Sequence, residues 1–140
     1  MIKSWGPFIL ATSCLIIILF MVTNNSLKIP SIKSLNGQWI GKHQNYEIIL
    51  EIKKNNKCSL EFRVTSSNEV ENFNGDCTID NSKKPYSFIM TNIIELNTSI
   101  YSLVALRDNN IIHMSEFSTK WRLRPVSLTY ENTIIFKRYI

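Results

Sequence analysis

From residue 34 onward, apolar and polar side chains alternate in short runs separated by clusters of Asn, Asp, Ser and Lys. In residues 58–65, Cys58, Leu60, Phe62 and Val64 fall on one side of an extended chain, and Ser59, Glu61, Arg63 and Thr65 fall on the other. A period of two carried by β-branched and aromatic residues predicts half-buried strands. The candidate strands are QWIGKH, NYEIILEIKK, CSLEFRVTS, EVENFNGDCTID, YSFIMTNI, SIYSLVALRD, NIIHMSEFS, KWRLRP and NTIIFKR. No segment between them holds a 3.6-residue period over the length of a helix, so neighbouring strands must join by hairpins and run antiparallel. A chain of this length with about eight such strands closes most economically as an up-and-down barrel, which removes exposed sheet edges. The expected class is all-β.

The front of the chain breaks this pattern. Residues 1–22, MIKSWGPFILATSCLIIILFMV, hold one lysine, Lys3, followed by a stretch from Pro7 to Val22 without a charge. This predicts an N-terminal hydrophobic helix of a length between a signal-peptide core of about 7–15 residues and a full span of about 20. No small-x-small cleavage site follows, which favours a retained transmembrane anchor over a signal peptide. Cys14 precedes LIIILF, whereas a lipidated terminus turns polar. Residues 23–33 are polar with one proline and read as a linker, leaving residues 34–140 for the barrel. The expected address is a membrane-anchored domain outside the cytoplasm, in periplasm or at the cell surface, or a secreted one if the segment is cleaved.

Composition adds two constraints. Only 4 glycines and 4 prolines occur in 140 residues, which argues against linker-rich or disordered organisation. Lys and Arg number 16 against 11 Asp and Glu, a formal charge of +5, but the signs are interspersed, so no nucleic-acid partner is expected. Cys58 and Cys77 suit an exported domain. Folding their strands about a turn at Ser67 and Asn68 sets Cys58 opposite Cys77, Leu60 opposite Gly75 and Phe62 opposite Phe73. The two sulfurs then meet on the buried face, as a disulfide or as a pair of reduced core thiols.

SLNGQWIG, residues 34–41, stands where the linker meets the first strand. Gly37 permits a bend or close backbone approach, and Trp39 supplies a large apolar plug. The motif resembles the Gly-x-Trp signature that opens the first strand of lipocalin and lipocalin-like barrels, and NTIIFKR resembles their closing strand. The resemblance implies that Trp39 sits across a closed end with Arg138 packed over it. GDCTIDNSKKPYSF and SIYSLVALRDNNIIHMSEF are similar to bacterial lipocalin-like domains of uncharacterised function. This chain is shorter than the large ligand carriers of that family and shows no helix near its end, which implies a narrow interior.

Signs of catalysis are thin. His43 and His113 lack metal-ligand neighbours at useful spacing, and neither a nucleophile elbow nor a glycine-rich phosphate loop is present. No enzyme activity, cofactor or metal is expected. Tyr46, Tyr86, Tyr101 and His113 are the candidate ligand-binding residues inside the barrel. Lys120, Arg122 and Arg124 alternate with Trp121 and Leu123, so a strand there would show three cations on one face to anionic lipid or to an acidic partner. The expectation is a membrane-anchored binding or accessory module for a small hydrophobic ligand or lipid. The alternative is a protein-interaction or structural module with a filled core.

Overall fold

The computed structural model describes residues 29–140; the hydrophobic segment at residues 1–22 lies outside the described residues. Eight strands follow one another: β1 (Gly37–His43), β2 (Tyr46–Ile52), β3 (Lys57–Val64), β4 (Val70–Asp80), β5 (Tyr86–Thr91), β6 (Ile100–Asp108), β7 (Ile111–Ser115) and β8 (Thr133–Tyr139). Each pairs antiparallel with its successor and β8 returns to β1, closing the barrel. Among the described residues no helix is long and apolar enough to cross a membrane. This closed antiparallel meander is consistent with a lipocalin-like fold.

The period-two pattern decides which side chains enter. Trp39, Leu50, Leu60, Met90, Ile112 and Phe136 are all fully buried inside the ring. With Ile48, Ile52, Phe88, Val104, Leu106, Met114 and Ile134 they fill it as one continuous cluster. Burial of a side chain of this size stabilises by about 1.5–3 kcal/mol. Eight strands enclose just enough space for side chains to occupy it, and here they do.

The two ends differ. At one end, residues 29–36 lead into β1 and fold back as a plug: Leu35 is fully buried and Ile32 packs on the core. Pro30 is buried as well, so part of the expected linker is packed against the barrel. The turns at 53–56, 81–85 and 109–110 share this end. At the other end lie the turns at 44–45 and 65–69 with the long connection at 116–132, while the β5–β6 connection begins beside Lys53 and Lys57, which share a cavity with Asn92 and Ile94.

Two local expectations require correction. Cys58 pairs with Gly75, Leu60 with Phe73 and Phe62 with Glu71, a shift of two residues from the apolar-to-apolar register. The Val64 N–H bonds to the Glu69 carbonyl, so the connection turns one residue earlier than a turn centred on Ser67 and Asn68. Phe62 tolerates Glu71 opposite because that pair sits at the water-accessible end. Gly75 explains the rest: a Cβ there would lie 2.3 Å from the Thr91 carbonyl oxygen, so β5 and the chain after it approach where only glycine leaves room. Cys58 and Cys77 still meet, diagonally, with Cα atoms 6.0 Å apart in a disulfide.

KWRLRP is not a strand. Trp121–Leu123 form a single 3₁₀ turn in the β7–β8 connection. Trp121 lies outside the barrel, edge-on to Tyr101 at 5.2 Å, and the Arg124 guanidinium stacks on it at 3.8 Å. Lys120 and Arg122 are exposed, so the three cations share no strand face. The backbone of Ser118 pairs with Tyr101, and this bridge pins the connection against the outside of β6.

Candidate functional site: the open mouth of the barrel

β1 delivers Trp39, Gly41 and His43 to the interior in turn, so the parity that buries the tryptophan carries His43 to the open rim. Tyr46 faces it from β2, Phe62 and Glu71 follow from β3 and β4, and the β7–β8 connection brings Glu116 and Phe117. Together with Gln44, Ile48 and Ile134 these line a cleft of about 340 Å³. Its floor is the barrel core and its rim is polar.

Aromatic edges form one wall. Phe62 meets Tyr46 at 6.3 Å, Phe73 at 6.1 Å and Phe117 at 5.9 Å, all edge to face. Phe117 continues to Phe136 at 6.4 Å, so the mouth is stacked directly on the core. Beside it stands a polar pair: His43, across from Tyr46 in the β1–β2 register, and Glu116, next to Phe117 in the chain, share a hydrogen bond of 2.7 Å between Nε2 and Oε1. Glu71 is exposed on the same rim. No lysine or arginine lines this cleft, although basic residues outnumber acidic ones in the chain.

The closed end is built differently. The Arg138 guanidinium lies 4.1 Å above the Trp39 ring, and its Nη2 and Nε donate to the carbonyls of Ser34 at 3.0 Å and Asn109 at 2.9 Å. Its Nη1 also donates to the Asn36 carbonyl. Trp39 Nε1 donates to the Leu35 carbonyl at 2.8 Å. Gly37 holds φ at +121°, and a Cβ there would come within 2.9 Å of Arg138 Nη1. The three residues are therefore assembled as a closure in which each side-chain nitrogen of Arg138 and Trp39 donates to a backbone carbonyl.

The four expected ligand-binding residues do not converge. Tyr46 is at the mouth, but Tyr86 is inside near the closed end, beside Pro30, Pro85 and Arg107. Tyr101 points outward onto Trp121. His113 points outward too, opposite Ala105 and Ile135, with Arg107 Nε 3.3 Å from its Nδ1. Burial, with Arg107 adding to it, holds the His113 pKa below its ordinary value. The physical reason is parity: Tyr101 and His113 each neighbour core residues in sequence and so must face out. The sequence signal for His43 was present, two and four residues beyond Gly41 and Trp39, whereas Glu71, Glu116 and Phe117 reach the mouth only through tertiary pairing.

Among the described residues no three His, Cys, Asp or Glu side chains gather to hold a metal ion. Comparison with family models, with curated proteins and with solved structures finds no match to this chain.

Proposed function

We propose that this chain is a membrane-anchored, extracytoplasmic, lipocalin-like binding module of the bacterial type, which takes a small amphipathic ligand at the barrel mouth. The observation that carries the reading is the 340 Å³ cleft, where aromatic edges and two carboxylates face one space without a lysine or arginine. An apolar or aromatic body fits against Tyr46, Phe62 and Phe117, and a cationic or hydrogen-donating head fits toward Glu71 and Glu116. The filled interior supports binding at the mouth instead of deep in a calyx. The Cys58–Cys77 disulfide supports an oxidising compartment, and the apolar run from Pro7 to Val22 supports retention at a membrane.

Titrating the isotope-labelled full chain with benzyltrimethylammonium tests this. Saturable NMR shifts are expected at the amides of Tyr46, Glu71 and Phe117, with none from benzenesulfonate, and Glu71→Gln should weaken the binding by about fivefold or more. Shifts from both probes, or from neither, count against it. A second reading, a protein-interaction module with a filled core, draws on Leu123, Val126 and Tyr130, all largely exposed in the β7–β8 connection. It is favoured if the mouth takes no ligand.

A further inference from the structure

The turns at the closed end carry a charge pattern absent from the turns at the mouth. Lys53, Lys54 and Lys57 lie at the β2–β3 turn, Lys83 and Lys84 at the β4–β5 turn, and Lys33 in the plug, and all are exposed. Their acidic neighbours include Glu51, Asp76, Asp80 and Asp108. Asp76 already accepts from Lys57 at 2.5 Å; Asp80 accepts from Ser82, and Asp108 accepts from the Asn110 N–H. Among the described residues none of Lys33, Lys53, Lys54, Lys83 or Lys84 enters an ion pair. By contrast, the mouth turns at 44–45 and 65–69 contain no lysine or arginine, and the second carries Glu69. The β7–β8 connection mixes both signs.

A second observation points the same way. Ile29, Tyr139 and Ile140, which stand at the closed end, are 62, 64 and 97 % exposed. Exposed apolar and tyrosyl side chains on the same end as exposed lysines are the composition of a surface that meets the boundary between headgroups and acyl chains. The chain also leaves the barrel toward residue 28 from this end. Residues 23–28 separate Ile29 from the apolar run and reach at most about 20 Å when extended.

We infer that the closed end of the barrel docks on an anionic phospholipid surface. The inference rests on the proposed membrane segment at residues 1–22. Lys33, Lys53, Lys54, Lys83 and Lys84 meet the phosphates, and Ile29, Tyr139 and Ile140 settle into the interface. Each lysine brought within a Debye length of the surface raises partitioning roughly fivefold. The tether keeps the lysines near that distance, and docking turns the mouth cleft away from the bilayer toward solvent, where a soluble ligand arrives.

Hydrogen exchange on the full chain reconstituted in vesicles tests the inference, comparing phosphatidylcholine alone with phosphatidylcholine containing about one third phosphatidylglycerol. Amides at 53–57 and 81–86 should exchange about fivefold more slowly in the anionic vesicles, and those at 65–69 should not change. Raised salt, or the combined Lys53→Glu, Lys54→Glu and Lys84→Glu variant, should abolish the difference while circular dichroism stays that of the barrel. Equal exchange in both vesicles, or protection at 65–69 in place of 53–57, overturns the inference. Should the chain stay out of both vesicles, the membrane segment is wrong by itself and docking is decided by co-sedimentation. Lysine-dependent pelleting with the anionic vesicles then supports docking, and its absence overturns it.

Discussion

The closed end and the mouth are made from the same eight strands, yet one spends its polar groups inward and the other leaves them available. At the closed end, Arg138 bonds three carbonyls and covers Trp39, and Leu35 completes the seal. At the mouth, Glu71 is exposed and His43 and Glu116 satisfy each other in reach of solvent. Buried polar groups add to stability when they are paired, as Arg138 and the Trp39 Nε1 are, whereas a binding surface needs groups whose partners a ligand can replace. The contrast assigns stability to one end and recognition to the other.

Replacements at the closed end should be the most damaging. Trp39→Ala removes a fully buried indole and should lower the unfolding free energy by about 3–5 kcal/mol in urea melts. A midpoint that does not move, with loss of ligand binding in its place, would reverse the assignment of the two ends. Next comes the disulfide, which closes a loop with a sequence separation of 19 residues just below the plug. Replacing both cysteines by alanine should cost about 3 kcal/mol by the same assay. Arg138→Ala should cost about 1–2 kcal/mol, with its packing and cation–π contact both lost. Combined with Trp39→Ala, its effect should be clearly less than additive, because each residue's contribution depends on the other.

The mouth should behave in the opposite way. Glu71→Gln touches an exposed side chain and should shift stability by less than about 0.5 kcal/mol while weakening benzyltrimethylammonium. A large loss of stability there would erase the distinction. The smallest effect expected is one of pH, on the outer wall between the ends. The folded barrel disfavours protonated His113, through burial first and Arg107 second, so the unfolded chain binds the proton more readily. Stability should therefore fall as pH drops through the ordinary histidine value near about 6.5 and level off below the lowered folded value. His113→Gln should flatten that part of a stability-against-pH curve. Two carboxylates add a fall at lower pH: Asp76 is lowered by hydrogen bonds from Asn92 and Lys57, and Asp80 by those from Ser82. Their stabilisation is present above the unfolded carboxylate range and is lost as pH falls through the folded values.

Much of the fold could be read along the chain because strand parity is local. Cys58, Leu60 and Phe62 alternate with polar neighbours, and the alternation alone places them inside. The same rule misled at Lys120–Trp121–Arg122–Leu123–Arg124, where a period of two occurs without a partner strand. A free run of alternating residues satisfies no backbone hydrogen bonds, and here Arg124 and Tyr101 offer Trp121 a better place outside the barrel. The hairpin register failed for a related reason. Matching apolar to apolar assumes that every pair is equally shielded, but Phe62 and Glu71 sit where water reaches.

The sequence by itself determined the all-β class, the core-facing side of β3 and β4, and the meeting of Cys58 with Cys77 on the buried face, since period-two alternation needs only near neighbours. Trp39 and Arg138 were legible from a motif at either end of the barrel region. Only the tertiary structure decided the register, the outward fate of Tyr101 and His113 as members of no common site, and the mouth itself. His43 and Glu116 are 73 positions apart, and nothing in a linear pattern encodes which strand closes against which turn. Ring closure sets that, through the backbone hydrogen bonds between β1 and β8 and the room Gly75 leaves for Thr91. A site assembled at the rim of a barrel is a property of that closure.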